Sequence, residues 1–153
     1  MRGPYSAPLT PTAITTTVDF FHITAAAENP VTLYAMQLYN TTDVGDLQEE
    51  VLSIALARGI TGGTGGTGLT EVHYGDGGGS AVTATVVGMN TTVSTAGTIL
   101  EHIGWNVRIP LFWCPIPELR PTADATQDPV VFRLLTAPAD SITIGGTVWW
   151  YEG

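Results

Sequence analysis

The run Val31-Thr32-Leu33-Tyr34-Ala35-Met36-Gln37-Leu38-Tyr39 follows a turn signal at Asn29-Pro30 and is rich in apolar, β-branched and aromatic side chains. In an extended chain Val31, Leu33, Ala35, Gln37 and Tyr39 point one way, and Thr32, Tyr34, Met36 and Leu38 the other. Both faces are fairly apolar. The stretch therefore predicts a long strand covered on both sides, as in a sheet centre or an interface.

Working outward, Val18-Asp19-Phe20-Phe21-His22-Ile23-Thr24 is a strand candidate upstream. Downstream, further candidates are 81–89, 98–104, 106–112, 130–135 and 141–151, and Leu69–Tyr74 is a short edge candidate. Residues 46–58 support two readings. Asp46-Leu47-Gln48-Glu49 has capping-box form and Arg58-Gly59 can close a helix, with Leu47, Val51 and Ile54 on one face. Yet Leu52, Ile54 and Leu56 alternate with Ser53, Ala55 and Ala57. The alternation favours a turn near Asp43–Asp46 and a strand across about 50–58, with the helix as the alternative. Many short strands separated by turn signals predict an all-β sandwich or barrel. The 18 glycines and ten prolines agree, since these residues punctuate turns and break helices.

The 153 residues suit one domain. Charged residues are 12% of the chain, about half the usual share. The net charge is -9, there is no lysine, and the five cations are Arg2, Arg58, Arg108, Arg120 and Arg133. Scattered arginines in a negative field do not make a phosphate-backbone footprint, which argues against a nucleic-acid partner. A P-loop lacks its lysine. The single Cys114 permits no internal disulfide and no cysteine-based zinc site within one chain. The N-terminus lacks the apolar core of a signal peptide, and no apolar run approaches ~20 residues. The expectation is a chain made in a cytosol, with no membrane partner.

Residues 1–17, with Pro4, Pro8 and Pro11, read as an extended Pro/Thr-rich arm outside the strand pattern, able to dock on another chain. The domain proper is then 18–153, carrying a Gly/Thr-rich loop at 59–80. Within that loop Gly63–Gly68 matches G-x-G-x-x-G, but it opens no helix in a βαβ unit, so it reads as a loop rather than a dinucleotide site. The loop either lies free on the surface or becomes ordered against a neighbour.

No residue pattern carries catalysis. His22, His73 and His102 show no ligand spacing and read as half-buried strand histidines. Cys114, between Trp113 and Pro115, reads as a small buried hydrophobe. Asp43, Asp46, Glu49 and Glu50 lack EF-hand spacing and read as a solvated turn or a partner for arginine. The expectation is no enzyme, no cofactor and no metal.

The aromatic residues are more informative. Trp149 and Trp150 are adjacent on a strand candidate and must face opposite sides, so one fills a core and the other needs another cover. That cover is an oligomer interface or a sugar ring, with the alternative that each tryptophan is simply core. The candidate contact residues are Pro4, Tyr5, Pro8 and Pro11 of the arm, Gly62 and Gly65 of the loop, and Trp113, Trp149 and Trp150.

A string of landmarks runs through residues 30–152. They are Thr42-Asp43-Val44-Gly45-Asp46 with Gln48-Glu49-Glu50, Arg58-Gly59 before the Gly/Thr loop, Asn90-Thr91-Thr92, Trp105-Asn106-Val107-Arg108, Pro117-Glu118-Leu119-Arg120-Pro121, and Ala137-Pro138-Ala139-Asp140-Ser141. In these the chain resembles the capsid decoration, or cement, proteins and related small β-rich virion proteins of tailed bacteriophages. The resemblance implies a jelly-roll-like antiparallel β-sandwich, often trimeric, seated on the major capsid protein at the capsid surface. The alternative is a carbohydrate-binding module or a fibre-like receptor-binding virion protein on the same scaffold.

Overall fold

The computed structural model describes residues 2–42, 50–74, 81–124 and 129–153. In chain order the strands are β1 (Arg2–Ile14), β2 (Asp19–Thr24), β3 (Val31–Asn40), β4 (Val51–Arg58), β5 (Thr67–Gly68), β6 (Val72–His73), β7 (Thr85–Asn90), β8 (Thr98–Asn106), β9 (Leu111–Trp113), β10 (Thr122–Ala123), β11 (Val130–Leu134) and β12 (Ile142–Glu152). One sheet has the order β10-β3-β12-β1-β6, with β9 also on β3. The other has the order β5-β7-β2-β11-β4-β8. Every pairing is antiparallel, and the two sheets pack as an all-β sandwich. Among the described residues the only helical element is a 3-10 turn at Pro117–Leu119. No helix there is long and apolar enough to cross a membrane.

The strand expected over 31–39 is β3, and it lies between β12 and the β9/β10 pair. Val31 and Leu33, and beyond a bulge at Tyr34 also Met36 and Leu38, point into the core with Phe20, Phe21, Leu52, Ile54, Trp105 and Phe132 of the second sheet. The unbroken alternation expected over 31–39, which set Met36 and Leu38 opposite Leu33, is corrected by that bulge. The ambiguous 50–58 segment is a strand: β4 is held between β11 and β8, and Leu52, Ile54 and Leu56 supply its core face. Packing between two neighbours outweighs the local helical pattern. The turn expected at Asp43–Asp46 lies outside the described residues.

The separate arm expected over residues 1–17 is corrected. Residues 2–14 form β1, an interior strand of the first sheet, paired along β12 from Arg2↔Glu152 to Ile14↔Ile142. Tyr5, Ala7, Leu9 and Ile14 are core residues of their own domain. The prolines are tolerated for a geometric reason. Pro4 and Pro11 fall within the two register shifts of the β1–β12 ladder, and Pro8 lies beyond the two residues that β6 covers. A residue without an N–H is accommodated at such positions.

The glycine-rich loop is ordered against its own chain. Thr61 and Thr95 exchange backbone hydrogen bonds at 2.8 and 2.9 Å, and Thr64 and Thr92 do so at 3.0 Å. Gly66 approaches the Gly88 carbonyl so closely that an added Cβ would stand 2.5 Å from it. Here glycine serves contact rather than freedom. Gly75–Ser80 lies outside the described residues.

Beneath this loop the Asp19 carboxylate, fully buried, accepts from Ser94 N (2.9 Å), Ser94 Oγ (3.1 Å) and Asn90 Nδ2 (3.4 Å). Arg133 Nε stands 3.9 Å from it. Asn90 Nδ2 also lies 3.1 Å from His22 Nδ1. An amide nitrogen only donates, so Nδ1 is the acceptor and the ring's proton sits on Nε2. Burial holds the His22 pKa below its usual value, with the Asp19 charge pulling the other way. Below about pH 6.5 the unfolded chain binds a proton that the folded ring resists, so stability is full above that pH and falls as pH drops toward the lowered pKa. The urea midpoint should decline from pH 7.5 to 5, and His22→Gln should flatten that decline. A decline of the same size in the variant would contradict this role for His22.

Candidate interaction surface

The outer face of the first sheet gathers the aromatic residues that the core does not use. Tyr34 alternates with the inward Leu33 on β3. On β12 regular alternation turns Trp150 inward and leaves Trp149 and Tyr151 half-buried on the outer face, while the register shift there makes Tyr34 the extra residue on β3. β9 turns Trp113 inward and Phe112 outward, and Tyr74 follows β6. Phe112 is 64% exposed and Tyr74 62%, large values for rings on a folded surface.

These rings touch one another. Tyr34 and Tyr151 stack with centroids 4.7 Å apart. Trp149 lies between Tyr74 and Phe112, at 6.3 and 6.4 Å, in edge-to-face geometry. Trp149 sits opposite Ala35 in the ladder, and the small alanine leaves a shallow pit of about 190 Å³ lined by Tyr34, Ala35, Tyr74, Phe112 and Trp149. The Arg120 guanidinium carbon stands 5.8 Å from the Tyr34 ring centroid, a cation–π contact. Burial, followed by the neighbouring Tyr151 and Tyr74, raises the Tyr34 pKa, so its phenol stays neutral at physiological pH.

The residues expected to make contacts divide. Tyr5, Trp113 and Trp150 are corrected to core positions. Tyr5 stacks on Trp150 at 6.0 Å and meets His73 edge-on, while Trp113 packs on Phe132 and donates from Nε1 to Glu101 at 2.9 Å. Each buries its ring against the domain's own strands, leaving no surface for a partner. Pro8 and Gly65 come together along a separate groove of about 420 Å³ between β1 and the glycine loop. Pro11 and Gly62 are exposed elsewhere, and Pro4 is half-buried, its carbonyl accepting from Tyr74 N. Only Trp149 of the set belongs to the aromatic face.

Cys114 is exposed rather than buried, because the chain leaves the sheet at Trp113. His22 and His73 are half-buried as expected, while His102 is exposed on β8. Of the acidic residues 43–50 only Glu50 is described, and its Oε1 accepts from Ala139 N.

Tyr34, Phe112, Tyr74 and Arg120 carry no contact signal in the sequence. Alternation along β3 places Tyr34 opposite Leu33, but only the strand order brings five distant rings together. Compared with protein-family models, curated proteins and solved structures, the chain matches none.

Proposed function

We propose that this chain is a non-enzymatic structural virion protein, a capsid decoration or cement protein. It docks through the aromatic face onto the major capsid protein on the outside of an assembled phage head. As a homotrimer it bridges capsid subunits. The observation that supports this reading is the joined face of Tyr34, Tyr74, Phe112, Trp149 and Tyr151, with Arg120 beside it. Contiguous exposed aromatics mark association sites, and tyrosine, tryptophan and arginine dominate the energy of protein interfaces. The sequence landmarks that resemble cement proteins point the same way. Binding only the assembled shell stabilises it by mass action, by about 2.7 kcal/mol per site at a hundredfold excess over Kd.

The second reading, a carbohydrate-binding module, draws on the same half-exposed Trp149. The pit is lined by four rings and an alanine, with two tyrosine hydroxyls and the Trp149 indole N–H as the polar groups of its side chains, and no carboxylate or amide. A sugar site pairs its stacking ring with well-placed polar groups that fix the hydroxyls. The composition of the pit favours a protein partner.

Capsids of the source phage that lack the protein provide the assay. Tyr74→Ser and Trp149→Thr should each weaken co-sedimentation with capsids by about tenfold or more, the loss of one hot-spot ring. Tyr74→Ser, at an exposed site, should change stability by under about 0.5 kcal/mol. Unchanged decoration by both variants would overturn the proposed docking face. Glycan binding that depends on Trp149, without capsid binding, would select the second reading.

A further inference from the structure

We propose that the open flank of the sandwich beside β8 captures an extended segment of another protein that carries an acidic side chain, adding it as a strand to β8. This flank differs from the aromatic face and meets it only at Phe112 and Arg120. The inference does not rest on the capsid reading.

Three observations converge there. First, β8 ends its sheet and, among the described residues, pairs only with β4. Its outer row of N–H and C=O groups is a template for another strand. Of the devices that blunt natural edges, β8 lacks lysine and proline, and carries only one charged residue, Glu101, and one bulge. The register shift between Leu56 and Ala57 leaves Leu100 as the extra residue of a bulge, 40% exposed.

Second, a cleft of about 660 Å³ opens beside this edge, lined by Leu56, Leu100, Phe112, Trp113, Leu119 and their neighbours. Leu119 is 70% exposed at its rim. A strand laid on β8 sends alternate side chains to one face, and the cleft offers apolar cover for them.

Third, the cleft holds Arg58 and Arg120, two of the five cations in a chain of net charge -9. Arg120 Nε is shielded from solvent and makes no hydrogen bond. An atom closed to solvent is closed to a ligand as well, but the positive charge of the guanidinium still favours a carboxylate placed in the cleft. Arg58 Nη1 donates to the Thr122 carbonyl at 3.3 Å. Of the cleft's two carboxylates, Glu101 already accepts from Trp113, and Glu118 lies exposed in the 3-10 turn. The arginines thus favour an acidic side chain on the incoming strand. They favour it over a second β8, whose one carboxylate, Glu101, is already engaged by Trp113.

The test is an NMR titration of the full-length ¹⁵N-labelled protein. The probe is a capped pentapeptide of alternating threonine and valine with a central glutamate, and its counterpart carries a central lysine. The glutamate peptide should give saturable shifts in the amides of residues 98–106 and bind about tenfold more tightly than the lysine peptide, the scale of a hydrogen bond to a charged group. Arg120→Gln should erase the discrimination, and Leu100→Glu, at an exposed site, should abolish binding. Equal binding of the two peptides, no saturable shift at millimolar peptide, or shifts confined to other strands would each overturn the proposal. So would a dimer whose β8 amides are protected from exchange before peptide is added, which would assign the edge to a second copy.

Discussion

Deleting residues 1–14 should leave a chain with no cooperative unfolding transition. β1 supplies thirteen residues to the first sheet and runs antiparallel along nearly all of β12. Its loss removes Tyr5, Ala7, Leu9 and Ile14 from the core and uncovers Trp150, on which Tyr5 stacks. Full burial of each large apolar side chain contributes about 1.5–3 kcal/mol. Three such side chains therefore account for roughly 5–9 kcal/mol, before the newly exposed Trp150 is counted. That is comparable to the total stability of a typical domain, about 5–15 kcal/mol. Circular dichroism and urea titration provide the measurement. A truncated chain that unfolds cooperatively near the wild-type midpoint would show that β1 is an appendage.

Glu152→Ala should destabilise the protein by about 3 kcal/mol, through the buried donors it strands. Glu152 is 1% exposed near the end of β12. Its carboxylate accepts from Thr83 N (3.0 and 3.1 Å), Thr83 Oγ1 (2.9 Å) and Ala84 N (2.8 Å), with Trp150 Nε1 at 3.4 Å. Thr83 and Ala84 lead directly into β7, so one side chain ties the first sheet to the second. Alanine leaves these donors without their acceptor, at about 1–3 kcal/mol for each group that stays buried and unmet. For a chain of this size the expected loss lowers Tm by roughly 6–12 °C. Glu152→Gln keeps an acceptor oxygen and should cost less than alanine. A midpoint unchanged in Glu152→Ala would show that the clamp carries no stability.

The strands legible in the sequence are those rich in apolar and β-branched residues, although the bulge at Tyr34 breaks the alternation of β3. β3, β4 and β11 emerged from side-chain pattern alone, and the opposite facing of Trp149 and Trp150 followed from strand geometry. β1 was misread because its prolines argue locally against a ladder, while its partner β12 lies more than a hundred residues away and the register shifts that admit Pro4 and Pro11 leave no local mark. The burial of Tyr5, Trp113 and Trp150 was hidden for the same reason: a ring faces inward or outward only once a second sheet exists. Asp19 and Glu152 gave no signal either, because an isolated carboxylate in sequence reads as surface. Their donors come from Ser94, Asn90, Thr83 and Ala84, all distant in the chain. The aromatic face lay in part within the opening strand, whose two apolar faces anticipated an outer cover. Its composition from Tyr34, Tyr74, Phe112, Trp149 and Tyr151 required the strand order.

The proposed role is tested most directly by heating matched capsids of the source phage, with and without this protein at full measured occupancy, and following DNA release. The account predicts a higher release temperature for decorated capsids, with a clearly smaller increase when Trp149→Thr protein is supplied at the same concentration. Equal release temperatures at full occupancy would contradict it.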